Sequence, residues 1–204
     1  MKTPHEVMPA WQQVTAAGRI ALFPRWLGDT ALLYSGDKGR EMPAAYEVVL
    51  NGREKNLGRR NGTSPNVRLA DGSILFSQPD YLDPYHVRQD LYVQRGDRQI
   101  RLTRGARLSS PDARADGEIV AVQDVPASTR LVRISSRGGT ITPITSATID
   151  TQWMDPRMVA RWIANRRRGA DPRHLADCGA RCKRTTGNVV RRLPLDKLAT
   201  ELVA

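Results

Sequence analysis

Two cysteines, two phenylalanines and three histidines in 204 residues leave little material for several common designs. Cys178 and Cys182 are separated by three residues, neither a redox Cys-x-x-Cys nor a usual zinc-knuckle spacing, and with His174 they make only part of a ligand set. The expectation is no metal and no cofactor. His5, His86 and His174 have no Ser or Cys partner at a recognisable spacing, and there is no Gly-x-Ser-x-Gly elbow, His-Glu-x-x-His helix, phosphate-binding loop or Rossmann fingerprint. The chain is therefore expected not to be an enzyme, with no turnover of hydrolase or metal-dependent type. No apolar run approaches bilayer-spanning length, so no membrane insertion is expected. The opening stretch is interrupted by Pro9, Gln12, Gln13 and Arg19 and has no signal-peptide core, so as written the default location is cytoplasmic.

What is present in excess is positive charge, +11 overall. Residues 1–153 carry 20 Lys and Arg against 16 Asp and Glu, whereas residues 154–204 carry 12 against 5. A basic tail binds phosphate backbones without reading sequence, but the aromatic groups that stack on single strands are scarce there. The distribution speaks against nucleic acid as the partner.

The dominant pattern is a unit recurring about every 45 residues: a proline, then a glycine with an acidic neighbour, then an apolar strand. It runs Pro24 to Gly28-Asp29 to Ala31-Leu-Leu-Tyr-Ser35, then Pro65 to Asp71-Gly72 to Ile74-Leu-Phe-Ser-Gln78, then Pro111 to Asp116-Gly117 to Ile119-Val-Ala-Val-Gln123. That period is the length of a four-stranded propeller blade. The second half repeats as well. Glu47 to Leu50, Leu91 to Gln94 and Arg130 to Ile134 are each followed by a turn and a closing strand, and Asn51-Gly52 is a strong hairpin signal. The fold class expected is all-β: a propeller arc of about three four-stranded antiparallel blades, first strand innermost, with an irregular or partly helical C-terminal tail. The units are roughly 16–58, 59–103 and 104–145, with the start of a fourth. Leu32, Leu33, Ile74, Phe76, Ile119 and Val122 are expected to pack between blades.

Glycine supplies positive φ in the turn between the first two strands, and a nearby Asp accepts amide hydrogen bonds of the same turn. Asp71, Gly72, Asp116 and Gly117 are accordingly read as turn architecture rather than catalytic or metal-binding groups.

Ser110-Pro111-Asp112, Asp116-Gly117, Gly138-Gly139 and Ile144-Thr145, with Ser64-Pro65 and Asp71-Gly72, give the chain its family likeness. It resembles the TolB-like propellers, built from WD40-like repeats, over roughly residues 14–157. The resemblance implies six blades and a frequently periplasmic or extracytoplasmic location; the leading functional reading is a non-catalytic scaffold that binds protein or peptide. Similar propellers also accompany serine and metallopeptidase domains, which gives a second reading: the propeller portion of a larger peptidase.

A fourth unit begins on schedule at Trp153 to Pro156, and then the pattern gives way to Arg157-Met-Val-Ala-Arg-Trp162 and Arg166-Arg167-Arg168. Read one nucleotide later, the codons of Met158 to Ile163 require Trp first and Gly fifth and permit Ser-Pro-Asp between them, restoring the family motif. Asp177 to Cys182, shifted likewise, permits Ile-Val-Val-Leu-Asp-Ala, resembling Glu47 to Asn51. The expectation is a frameshift near residue 157, leaving 158–204 as a basic tail and not a native blade. A short helix over Arg192 to Val203 is expected from the spacing of Leu195, Leu198 and Leu202.

One loop stands out. Pro79-Asp-Tyr-Leu-Asp-Pro-Tyr-His86 holds two of the five tyrosines. Exposed tyrosine brings contact area with few rotors, so Tyr81, Asp83, Tyr85 and His86 form the candidate protein-binding loop. The alternative is that Tyr81 and Tyr85 pack against the neighbouring blade.

Overall fold

The computed structural model describes residues 13–39, 41–149, 152–159, 162–168 and 188–194, with side chains as far as residue 156. Three four-stranded antiparallel sheets follow one another along the chain, each in simple sequential order. The first holds β1 (Ile20–Leu27), β2 (Ala31–Asp37), β3 (Ala44–Val49) and β4 (Glu54–Arg59). The second holds β5 (Val67–Arg68), β6 (Ile74–Asp83), β7 (His86–Arg95) and β8 (Arg98–Arg101), and the third β9 (Leu108–Ala113), β10 (Glu118–Val125), β11 (Ser128–Ser135) and β12 (Thr142–Pro143). The repeat read from proline and glycine positions is the repeat of the fold.

The third sheet lies between the second sheet and the strand that follows it, so its middle strands are apolar on both faces. In β10, Ile119 and Ala121 join Leu75, Leu91, Val93, Leu108, Val132 and Ile134 in the core between the second and third sheets. The alternate residues Val120 and Val122 pack with Leu131, Ile144 and Trp153 on the opposite face. A strand serving two cores reads as a continuous apolar run instead of a strict alternation. Strand β9 lies against β5, β6 and β7 on one side and against β13 (Gln152–Val159) on the other. Leu33, Ile74, Phe76, Ile119 and Val122 are buried as expected, and Leu32 is partly buried against Tyr34, Tyr46 and Val48.

The seam between the first and second sheets is built differently. No apolar cluster among the described residues crosses it. Instead Gln94 Nε2 donates to Leu57 O, Gln99 Nε2 donates to Arg59 O at 2.9 Å, Arg68 pairs with Glu47, and Asn66 Nδ2 donates to Ser35 Oγ at 2.7 Å. The first strand carries a further tie: Arg25 in β1 pairs with Asp112 in β9 and donates to Pro111 O at 3.1 Å, bridging the first and third sheets.

Those first strands share a device. Phe23, Ser110 and Asp155 each precede a proline and each has positive φ (54°, 48° and 43°). The pairing register shifts at each of these places, as in a β-bulge. Non-glycine residues there are strained, and the residue presented next after the proline is Arg25 or Asp112, the ion pair just described.

Beyond Trp153 the described residues make a three-stranded antiparallel sheet of β13, β14 (Trp162–Arg168) and β15 (Asn188–Pro194). This corrects the expectation of an irregular or helical tail where it can be compared. Arg192 to Pro194 pair with Trp162 to Ala164 in a sheet and do not start a helix. Residues 195–203, the remainder of the expected helix, lie outside the described residues, as do His174, Cys178, Cys182 and His5.

Close packing in the first sheet gives a direct test. A Cβ on Gly36 would stand 2.7 Å from Ile20 O and 2.9 Å from the Tyr34 ring, inside contact distance of backbone. Gly36→Ala is expected to lower stability by about 1–3 kcal/mol in urea unfolding, and an unchanged midpoint would show that β1 shifts freely.

Candidate functional site

The stretch read as a loop at Pro79 to His86 is the end of a long β-hairpin, a correction with a physical reason. Strand β5 pairs only with Ile74 and Leu75, so beyond that point β6 has one neighbour and behaves as an edge, where the missing N–H of Pro79 is tolerated. Strands β6 and β7 each run ten residues, and Tyr81 pairs with Val87 and Asp83 with His86. The other expectation for the tyrosines is corrected too: Tyr81 is 67% and Tyr85 91% exposed, and neither is buried against a neighbouring sheet. Val87 is exposed opposite Tyr81, so the hairpin end shows aromatic and aliphatic surface together.

The tip is shaped by Asp83. Its Oδ1 accepts from the amides of Tyr85 at 2.9 Å and His86 at 3.0 Å, and Oδ2 lies 2.7 Å from His86 Nδ1. The Tyr85 amide foremost, then the His86 ring, hold the Asp83 carboxyl below its usual range. Asp83 and His86 thus fix the turn that presents Tyr85.

The base of the hairpin is tied by groups that sequence reasoning missed. Asp90, fully buried, accepts from Arg101 Nη2 at 2.6 Å, Thr103 Oγ1 at 2.7 Å, Gly105 N at 2.8 Å and Ala106 N at 3.0 Å. Arg101 Nη1 also donates to Asp80 Oδ2 at 2.9 Å, and the Tyr92 hydroxyl donates to the same carboxylate. The Tyr92 hydrogen bond is the main reason the Asp80 carboxyl is held low, while burial pushes the Tyr92 hydroxyl up. Leu82 packs over Gly105, where a Cβ would come within 3.0 Å of it. No local motif could have announced Asp90, because its partners lie 11 to 16 residues away across a strand pair.

The Asp80 tie is pH-dependent with a defined sign. A depressed folded-state value means its contribution is complete above the unfolded value, near 3.8, and is lost as pH falls through the lower folded value. Amide exchange over 80–88 is expected to accelerate below that point relative to residues 118–125; parallel acceleration of both would remove the special role of Asp80.

The turn residues sit as turn chemistry requires. Asp71 Oδ1 accepts from Ser73 N at 3.0 Å with Gly72 at φ +79°, and Asp116 Oδ1 accepts from Glu118 N at 3.0 Å with Gly117 at φ +86°. The Ser73 hydroxyl chiefly lowers the Asp71 carboxyl, and the Arg114 guanidinium that of Asp116. Among the described residues there is no group of three or more potential metal-binding side chains and no helix long and apolar enough to cross a membrane.

No protein-family model and no curated protein sequence matches the chain. Solved structures do. A TolB-designated protein of Agrobacterium tumefaciens is 18% identical with a TM-score of 0.62, covering 82% of this chain and 58% of that one. TolB from Acinetobacter baumannii is 14% identical with a TM-score of 0.50, covering 84% and 42%. A structure of prolyl endopeptidases is 7% identical with a TM-score of 0.57, covering 90% of this chain and 28% of that one. The chain therefore spans about half the length of the TolB structures it matches. Sequential four-stranded sheets at a 45-residue period, joined face to face and matched by these structures, give the chain the fold of a TolB-like β-propeller.

Proposed function

We propose that this propeller portion is a non-catalytic scaffold that docks a protein or peptide through the end of the β6–β7 hairpin. The observation that carries the reading is the exposure of Tyr81, Tyr85 and Val87 on an extension held rigidly at its base by Asp80, Asp90 and Arg101. Tyrosine on a pre-organised hairpin loses little conformational entropy when it is covered. The test compares the chain with a Tyr81→Ser/Tyr85→Ser variant in binding to a partner captured from its source cells. Affinity is expected to fall at least tenfold while stability moves by no more than about 0.5 kcal/mol, since both side chains face solvent. Unchanged affinity would remove the hairpin from the reading.

A propeller portion of a larger peptidase is not favoured, because the likeness to the endopeptidases is one of fold at 7% identity. A Gly-x-Ser-x-Gly or His-Glu-x-x-His domain in the adjoining coding sequence would reinstate it.

The same reading treats residues from 158 onward as out-of-frame translation that contributes little to the sheets before it. Truncation after Pro156 retains Trp153 in its core and is expected to leave the thermal midpoint of the first three sheets within a few degrees. Unfolding of residues 20–143 in that truncated chain, or a gene sequence with no shifted blade downstream, would overturn it.

A further inference from the structure

We propose that the seam between the first and second sheets binds a small monovalent inorganic anion, of chloride size, on the guanidinium of Arg60. Arg60 follows β4, donates its amide to Pro43 O at 2.7 Å, and is 2% exposed. Its guanidinium carbon stands 3.9 Å over the centroid of the Phe76 ring, and Nη1 donates to Gly58 O at 3.3 Å and Arg59 O at 3.0 Å. Nε and Nη2 are buried without a hydrogen-bond partner.

The half-buried arginines show how this fold handles the same charge. Arg19 pairs with Glu54, Arg25 with Asp112, and Arg101 with Asp80 and Asp90. Arg60 is more deeply buried than these and has no carboxylate among the described residues. Burial lowers its pKa to about 10, so it remains a cation at neutral pH. A guanidinium taken out of water without a counter-charge is strongly unfavourable, and two carbonyls and one ring face offset it only in part. Arg60 is 2% exposed, so an occupant at its guanidinium is of ion size and not part of a phosphorylated chain.

A bound water is the competing occupant. A Cβ on Gly58 would lie 3.6 Å from Arg60 Nη1 and 3.5 Å from Gln94 Nε2, so the two side chains meet at this glycine. Gln94 Oε1 is also without a donor and is able to accept from a water. Water, unlike an anion, makes stability no more sensitive to chloride than to other salts.

The experiment is thermal unfolding of the full chain in sodium chloride and in sodium gluconate at matched ionic strength. Chloride is expected to raise the midpoint by about 3–6 °C for each tenfold increase above its dissociation constant, and gluconate is not. Arg60→Met, which keeps contact with Phe76 and removes the charge, is expected to give the same midpoint in both salts. Equal midpoints for the native chain in the two salts, or a chloride response kept by Arg60→Met, would overturn the proposal. Bromide-soaked crystals of the native chain provide a reading independent of the variant: an anomalous peak beside Arg60 Nε and Nη2 is expected, and its absence at saturating bromide counts against the site.

Discussion

Asp90→Ala is expected to destabilise the chain by about 3–5 kcal/mol, the range for removing one member of a buried ion pair and leaving the other charge behind. The carboxylate accepts four hydrogen bonds, one from Arg101, one from Thr103 and two from the backbone of Gly105 and Ala106. Its loss strands two amides at the entry to the third sheet and leaves Arg101 with Asp80 as its one carboxylate partner among the described residues, beside the Thr103 carbonyl. Asp90→Asn retains an acceptor oxygen and the shape while removing the charge, so a smaller loss is expected. Urea unfolding followed by tryptophan fluorescence reads both variants, and the hairpin supplies a local check: exchange at residues 80–88 is expected to rise in Asp90→Ala beyond the global change. A loss below about 1 kcal/mol for Asp90→Ala would mean that the loop after β8 is held by packing and that the carboxylate is incidental.

Much of this fold is legible in the sequence because its punctuation is local. Gly72 and Gly117 adopt positive φ in turns whose carboxylates, Asp71 and Asp116, bind amides two residues away. Such chemistry needs no knowledge of the tertiary structure. The apolar runs are legible for a different reason, since strands between two sheets bury both faces. The hairpin end was harder to read. Pro79, Pro84 and two aspartates suggest a loop, and only the shortness of β5 explains why β6 continues as an edge strand. Least legible are the contacts that join the first and third sheets or enclose a charge. Arg25 and Asp112 are 87 residues apart, and nothing near Arg60 in the chain marks it as buried. The same holds for the fourth sheet, where Arg166 to Arg168 lie in a strand despite their composition.

Leu91→Ala is expected to cost about 2–5 kcal/mol, because Leu91 is fully buried in the core shared by the second and third sheets. The contrast with the neighbouring seam gives the result its meaning. Glu47→Gln breaks the Arg68 pair between the first and second sheets, but both side chains are about one-third exposed, so a loss within about 1 kcal/mol is expected. Hydrogen exchange separates the two further. Leu91→Ala is expected to release β6, β7, β10 and β11 together, since Leu75, Val93, Ile119 and Val132 line the same core. Glu47→Gln is expected to release β1 to β4 alone, whose own core is Tyr34, Ala44, Tyr46 and Val48. The second and third sheets would then be the cooperative unit that carries the hairpin, with the first sheet attached through polar contacts and the Arg25 tie. Should Glu47→Gln prove as costly as Leu91→Ala, or should both variants release all three sheets at once, the polar seam would be as strong as the apolar one and this division would fail.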